Sequence, residues 1–232
     1  MRYRREDSRS HPPLAYPAYA STFKRAPTLA PIRIEHTLSE LTGPRPLELA
    51  ARSIADLTKG AHGAAIGERI VVVGRVLDED GRAIPETLIE IWQANAAGRY
   101  AHDADQHDAP LDANFDGIGR VVSNQRGEYK FQTIKPGAYP WKNHPNAWRP
   151  NHIHFSLFGP AFATRLITQM YFPGDPLLAI DPIFNSIPDE GARARLIARF
   201  EINDSVADFA LGYRFDIVLR GREQSIFEEA HE

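Results

Sequence analysis

The stretch Arg69-Ile-Val-Val-Val-Gly-Arg-Val-Leu77, followed by the turn Asp78-Glu-Asp-Gly81 and then Thr87-Leu-Ile-Glu-Ile-Trp92, decides the fold class. β-branched side chains are stiff about χ1 and pack well on a pleated surface, so both runs predict strands. Asp and Gly between them supply turn conformations that other residues resist. The same pattern repeats outward from this unit. Gln125-Arg-Gly-Glu128 is a turn leading into Tyr129–Ile134, whose residues alternate in character, and Pro136-Gly137 closes that run. His152–Phe158, Leu166–Phe172 and Tyr213–Leu219 predict three further strands. Many short strands punctuated by Gly and Pro predict a mainly β chain folded as a β-sandwich with a few short helices. One helix is expected where Asp189 can cap a segment whose Ala192, Leu196, Ile197 and Phe200 share a face. A second is expected over Pro46–Leu57, with proline in its first turn.

Residues 1 to about 45 read as an extended arm. Pro12, Pro13, Pro17, Pro27, Pro31, Pro44 and Pro46 punctuate the segment, and proline suits neither a ladder nor a helix interior. Tyr16, Tyr19, Phe23 and Leu29 make it too apolar for a solvated tail, so it is expected to lie against another surface, such as a second chain. The expected organisation is an arm and short helix over 1–60, packing on a partner chain, and a catalytic β-sandwich over 61–232.

Composition excludes several classes. Lys plus Arg is 27 and Asp plus Glu is 30, a net charge of −3 that makes no case for nucleic acid as a partner. No stretch is apolar for long enough to span a bilayer, and no apolar segment follows the charged start, so a cytoplasmic location is expected. The chain has no cysteine, which rules out disulfides, thiolate metal sites and cysteine nucleophiles. A metal site has to use His, Tyr, Asp or Glu. The acidic stretch His102–Asp116 reads as a surface loop; as a calcium loop it lacks the required glycine, because Asp108 stands at the sixth position from Asp103.

Asn151-His152-Ile153-His154-Phe155 is the strongest local chemical signal. Residues two apart on a strand point to the same face, so His152 and His154 can reach one metal ion together. Alone, the pair favours a hydrogen-bonded sheet face over a metal site. Tyr139-Pro140-Trp141 and Trp148-Arg149-Pro150 crowd aromatic and basic groups beside it, which suits a pocket. Histidines with carboxylates would favour zinc or ferrous iron, and histidines with phenolates the harder ferric ion; composition does not choose between them.

Val72-Val-Gly74-Arg-Val76, Gly81-Arg-Ala-Ile84 and Ile89-Glu90-Ile91-Trp92-Gln-Ala-Asn-Ala-Ala-Gly98-Arg99-Tyr100 resemble the intradiol ring-cleavage dioxygenase motif. Tyr139-Pro140-Trp141 and Trp148-Arg149-Pro150-Asn-His152-Ile-His154-Phe155 resemble that family's other blocks. The arm, Ile167–Phe172, Gly174-Asp175-Pro176 and Tyr213–Gly221 are similar to the β subunits of its protocatechuate-cleaving branch.

The resemblance implies a non-haem Fe(III) centre, one ion per chain, held by Tyr100, Tyr139, His152 and His154. It implies cleavage of protocatechuate by O2 to 3-carboxy-cis,cis-muconate, in the β-ketoadipate route of aromatic catabolism. Tyr139 would be a labile ligand that doubles as a proton acceptor. Arg149 would be catalytic and would also contact substrate. Tyr19, Trp141, Gln169, Tyr171 and Ile183 would line the substrate pocket, with Gln169 a partner of Arg149. The resemblance further implies an α subunit as partner in a hetero-oligomer. His144 departs from the pattern of some relatives in the loop over the pocket. The alternatives are the same chemistry on catechol or another substituted catechol, and a β-sandwich binding module holding no iron.

Overall fold

The computed structural model describes residues 12–30, 32, 53–78, 80–142, 147–158 and 165–219. In chain order the strands are β1 (Lys59–Gly60), β2 (Gly63–Ala64), β3 (Arg69–Leu77), β4 (Leu88–Trp92), β5 (Ile118–Val122), β6 (Glu128–Ile134), β7 (Tyr139–Pro140), β8 (Trp148–Arg149), β9 (His152–Phe158), β10 (Arg165–Tyr171), β11 (Arg199–Phe200), β12 (Leu211–Arg214) and β13 (Ile217–Val218). Two short α-helices, α1 (Pro182–Asn185) and α2 (Glu190–Arg195), follow β10.

The strands form a mainly β sandwich. One sheet runs β10-β9-β4-β5, antiparallel throughout. In the other, β3 pairs with β6 on one side and with β12 and then β13 on the other. Ile153, Phe155 and Leu157 of β9 and Ile89 and Ile91 of β4 meet Ile70, Val72, Val76 and Phe131 of the facing sheet in one apolar core. Phe155 packs edge-on against Phe131 at 6.0 Å between ring centroids. The alternation that sends Ile153, Phe155 and Leu157 into this core sends His152 and His154 to the opposite face of the sheet.

The arm's described part lies against this same chain: the Tyr16 hydroxyl donates to the Asn185 carbonyl, at 3.3 Å. Among the described residues no helix is long and apolar enough to cross a membrane.

Several expectations need correction. Of the helix expected over Pro46–Leu57, the described end is not helical. Ile54 exchanges backbone hydrogen bonds with Arg120, Asp56 bridges Gln132, and Leu57 is buried in the core. The segment caulks the seam between β5 and β6, so tertiary pairing overrides local helix preference. The helix after Asp189 does form, with that carboxylate accepting from the Ala192 N–H at 2.6 Å, but it stops at Leu196. Ile197 then bridges Tyr171 in extended form and Phe200 lies in β11, half exposed. The strand expected over Tyr213–Leu219 is split at Phe215-Asp216, where the Asp216 carboxylate accepts the Arg75 N–H at 2.9 Å in place of a ladder carbonyl. Thr87 and Phe172 fall just outside β4 and β10.

Candidate metal centre

His152 and His154 stand on β9 between two neighbours of known register. On β10, Tyr171 faces His152 and Gln169 faces His154, while on β4 Trp92 faces His154. Tyr139 and Arg149 face each other across the β7–β8 ribbon, which is closed by the Trp141 N–H donating to the Ala147 carbonyl at 2.8 Å. His144 lies outside the described residues. Tyr100 ends the loop after β4. In that loop the Asn95 side chain accepts from the N–H groups of Ala97 and Arg99, both at 2.9 Å, and Asp105 accepts the Tyr100 N–H at 2.8 Å. Gly98, with φ +79°, turns the chain.

These elements bring four donors together. The Nε2 atoms of His152 and His154 are 3.2 Å apart, and Tyr139 Oη is 3.3 Å from the His152 Nε2. Tyr100 sits edge-on to Tyr139, 5.5 Å between centroids, and 6.3 Å from the His154 ring. His152 Nδ1 lies 2.6 Å from the Pro150 carbonyl oxygen, which can only accept. Nδ1 therefore carries the proton of the neutral ring, and Nε2 presents its lone pair to the cluster. The Tyr100 hydroxyl is buried and makes no aligned hydrogen bond to a described residue, with the Tyr139 phenol as a polar neighbour. A buried hydroxyl in that position is costly, and a bound cation would relieve it.

The electrostatics agree with an ion. Burial first, and Arg149 second, push His154 down to about 4 and His152 well below the usual imidazole range. Both rings stay neutral, the form that ligates. Burial drives the Tyr100 phenol well above its ordinary range and pushes the Tyr139 phenol up, so each keeps its proton until a cation stabilises the phenolate. Among the described residues no three His, Asp or Glu side chains stand together as a metal-binding group. Donors for a carboxylate-based zinc or ferrous site are therefore not assembled there, whereas two phenols and two imidazoles fit a hard, trivalent iron.

Arg149 is buried beside this cluster. Its Nη2 donates to Gln169 Oε1 at 2.5 Å and lies 3.3 Å from the Tyr171 hydroxyl. Its Nε is 3.1 Å from Asp181 Oδ1, at an angle that makes the contact an ion pair and not an aligned hydrogen bond. Trp141 lies against the guanidinium, 5.5 Å from its carbon, and Tyr19 of the arm packs edge-on to Trp141 at 5.0 Å. Tyr19, Gln169, Tyr171 and Ile183 share a groove of about 1060 Å³ between the arm and β10. Neither Trp141, Arg149 nor any of the four donors lines that groove, so it abuts the cluster without containing it.

Two further participants were not in the expected set. Trp92 stacks on His154, though its place in a strand reads equally as core. Asp181 carries no motif, and only its position before Pro182 marks it, as a helix cap.

Comparison with known proteins gives the chain's family. Residues 41–221 match the dioxygenase family model, and residues 3–37 match the model for the N-terminal region of protocatechuate 3,4-dioxygenase β subunits. The chain belongs to the intradiol dioxygenase family. It is 57% identical over 225 residues to the protocatechuate 3,4-dioxygenase β chain of Burkholderia cepacia, covering 94% of each chain. It is also 32% identical to the α chain of that enzyme from Pseudomonas putida, over 70% of this chain and 77% of that one. Among solved structures, hydroxyquinol 1,2-dioxygenase from Pseudomonas putida DLL-E4 superposes with a TM-score of 0.54 at 24% identity. That match covers 72% of this chain and 59% of the other, and speaks for the shared fold.

Proposed function

We propose that this family member is the iron-binding catalytic β subunit of a protocatechuate 3,4-dioxygenase. It joins both atoms of O2 to protocatechuate and opens the ring between the two hydroxyl-bearing carbons, giving 3-carboxy-cis,cis-muconate. The observation that carries the reading is the meeting of two phenols and two neutral imidazoles, with the buried Tyr100 hydroxyl making no aligned hydrogen bond to a described residue. The choice of protocatechuate rests on the likeness to the Burkholderia cepacia chain.

Tyr100, Tyr139, His152 and His154 would hold one Fe(III) ion. When bound, that ion supplies a Lewis acid that makes a catechol more acidic and draws density from its ring. The remaining work falls to the chain. Tyr139 Oη would be the proton acceptor for a substrate hydroxyl, since burial raises its affinity for a proton whenever the ion does not stabilise its phenolate. Arg149 keeps a fixed positive fork beside the ring as negative charge develops there. Trp141, Tyr171 and Ile183 exclude water, and Tyr19 meets the ring carboxylate.

An α chain is the proposed partner. The arm supports this: Leu14, Phe23, Leu29 and Ile32 are each more than half exposed on it, an apolar surface that a second chain would cover.

The deciding experiment is a visible spectrum of the iron-loaded protein, with and without protocatechuate in the absence of oxygen. A broad phenolate-to-iron band that moves to longer wavelength on addition supports the reading. A protein that stays colourless after iron reconstitution overturns it in favour of a binding module. Oxygen uptake with catechol in place of protocatechuate tests the alternative substrate.

A further inference from the structure

Asp181 is fully buried, yet the chemistry proposed above assigns it no task. Its Oδ1 lies 3.1 Å from Arg149 Nε, and its Oδ2 lies 3.5 Å from Arg149 Nη2 and 3.2 Å from the Tyr171 hydroxyl. The same carboxylate accepts from the N–H groups of Ile183 at 3.3 Å and Phe184 at 3.4 Å, capping α1. One charged group thus ties together β8, β10 and the helix that carries Ile183.

The cap alone does not account for an acid here. Ser and Asn cap as well as Asp, and a full negative charge with 0% exposure is costly unless it is paired. The pairing with Arg149 does account for it. An arginine side chain has many rotamers, and its fork is useful only when its plane is fixed. Asp181 pairs with the charge at Nε and meets Nη2 at 3.5 Å, Gln169 takes Nη2, and Trp141 packs against the guanidinium carbon. Nη1 makes no hydrogen bond to a described residue.

We infer that Asp181 is the positioning residue for Arg149: its carboxylate fixes the plane of the guanidinium and leaves Nη1 uncommitted for the substrate. Through Tyr171 and the cap of α1 it also keeps two pocket walls in register with that fork. The inference rests on Arg149 being the cation that faces the substrate.

The test uses the αβ holoenzyme. Asp181→Asn removes the charge and retains a cap. Asp181 makes no hydrogen bond to the four donors and acts on Tyr139 only through its charge, so iron content is expected to stay as in the wild type and the resting visible band to move only slightly. Turnover per iron is expected to fall by roughly tenfold or more, the scale of coupling between groups in contact. The same substitution made on top of Arg149→Gln is expected to cost nothing further. Turnover per iron within about twofold of wild type, or losses that simply add in the double variant, would overturn the inference. Asp181→Ser repeats the test should the Asn variant fail to fold. If neither variant assembles with iron, Asp181 belongs to the fold and the positioning role is wrong. An iron-loaded wild type that is inert toward protocatechuate would instead remove the parent reading, and this one with it.

Discussion

Trp92 and His154 stack plane on plane, their ring centroids 4.8 Å apart and their planes 4° from parallel. The stack follows from register, because the two residues are direct partners across β4 and β9. It fixes the plane of the His154 ring, whose Nε2 lies 3.2 Å from that of His152 in the donor cluster. Trp92→Ala is therefore expected to weaken iron binding by about 10- to 100-fold, the usual cost of losing a group that orients a ligand. Trp92→Phe should retain most of the affinity. Competition with a chelator measures both, and wild-type affinity in Trp92→Ala would reduce the stack to ordinary packing.

Tyr100 gives the opposite pattern, a substitution that harms function and spares the fold. Its hydroxyl is buried with no aligned hydrogen bond to a described residue, a burden in the metal-free chain. Tyr100→Phe removes that burden and keeps the ring packed edge-on to Tyr139. The metal-free variant should be as stable as the wild type or more stable by about 1 kcal/mol, while the iron band and turnover are lost. Urea unfolding of the metal-free proteins, beside iron titration, separates the two effects. A clearly less stable Tyr100→Phe would mean the hydroxyl has a structural partner.

What could be read ahead of the structure depended on range. β3 and β9 have the bounds expected of them because each is a long run whose own pattern specifies a strand and its faces. β5 was unread: Ile118-Gly-Arg-Val-Val122 opens beside Gly117 and contains Gly119, whose missing side chain makes room for Leu57 and the Ile54 backbone. That reason lies in a distant segment. The end of the expected helix at Ser53–Leu57 failed likewise, since the strand edges that claim its backbone are far along the chain. For the site, His152 and His154 were legible as a pair on one face. Tyr100 comes from a loop and Tyr139 from the two-residue strand β7, and no period links them to β9, so only the family resemblance joins them. Asp181 is not legible as a partner of Arg149, because a cap and an ion-pair partner look alike in one dimension.

The imidazoles make the metal-free protein sensitive to acid. The ordinary imidazole value is 6.5, and in the folded chain His154 sits at about 4, chiefly through burial. Above pH 6.5 both folded and unfolded chains carry a neutral ring, so the residue adds no dependence. As pH falls from 6.5 toward 4 the unfolded chain takes up a proton that the folded chain refuses, and stability drops. Below about 4 both are protonated and the loss levels off, at an upper limit on the order of 3 kcal/mol. His152 is shifted in the same direction and adds to the slope. Urea midpoints between pH 7.5 and 5 should decline more steeply in the wild type than in His154→Gln. Equal slopes would show that His154 already titrates normally.

Gly98 couples the two phenols. Its φ of +79° is a left-handed conformation that side chains rarely adopt, and a Cβ there would collide with the Ala138 carbonyl oxygen and crowd the Tyr139 Cβ at 3.2 Å. The loop ending in Tyr100 thus packs backbone to backbone against the segment entering β7, and this contact sets the separation of Tyr100 from Tyr139. Gly98→Ala meets two penalties, one in φ and one in space, and relief of either moves the phenols apart. The φ penalty alone is about 1 kcal/mol, which a domain of this size survives. The spatial clash bears directly on the donor cluster. Gly98→Ala should therefore fold, lose most of its iron on a desalting column, and show a weakened or shifted visible band where iron remains. Gly81→Ala is the matched control: it has the same φ of +79° and nothing within 4 Å of an added Cβ, so it should lose comparable stability and keep its iron. Equal iron retention in the two variants would show that the loop contact does not set the distance between the phenols.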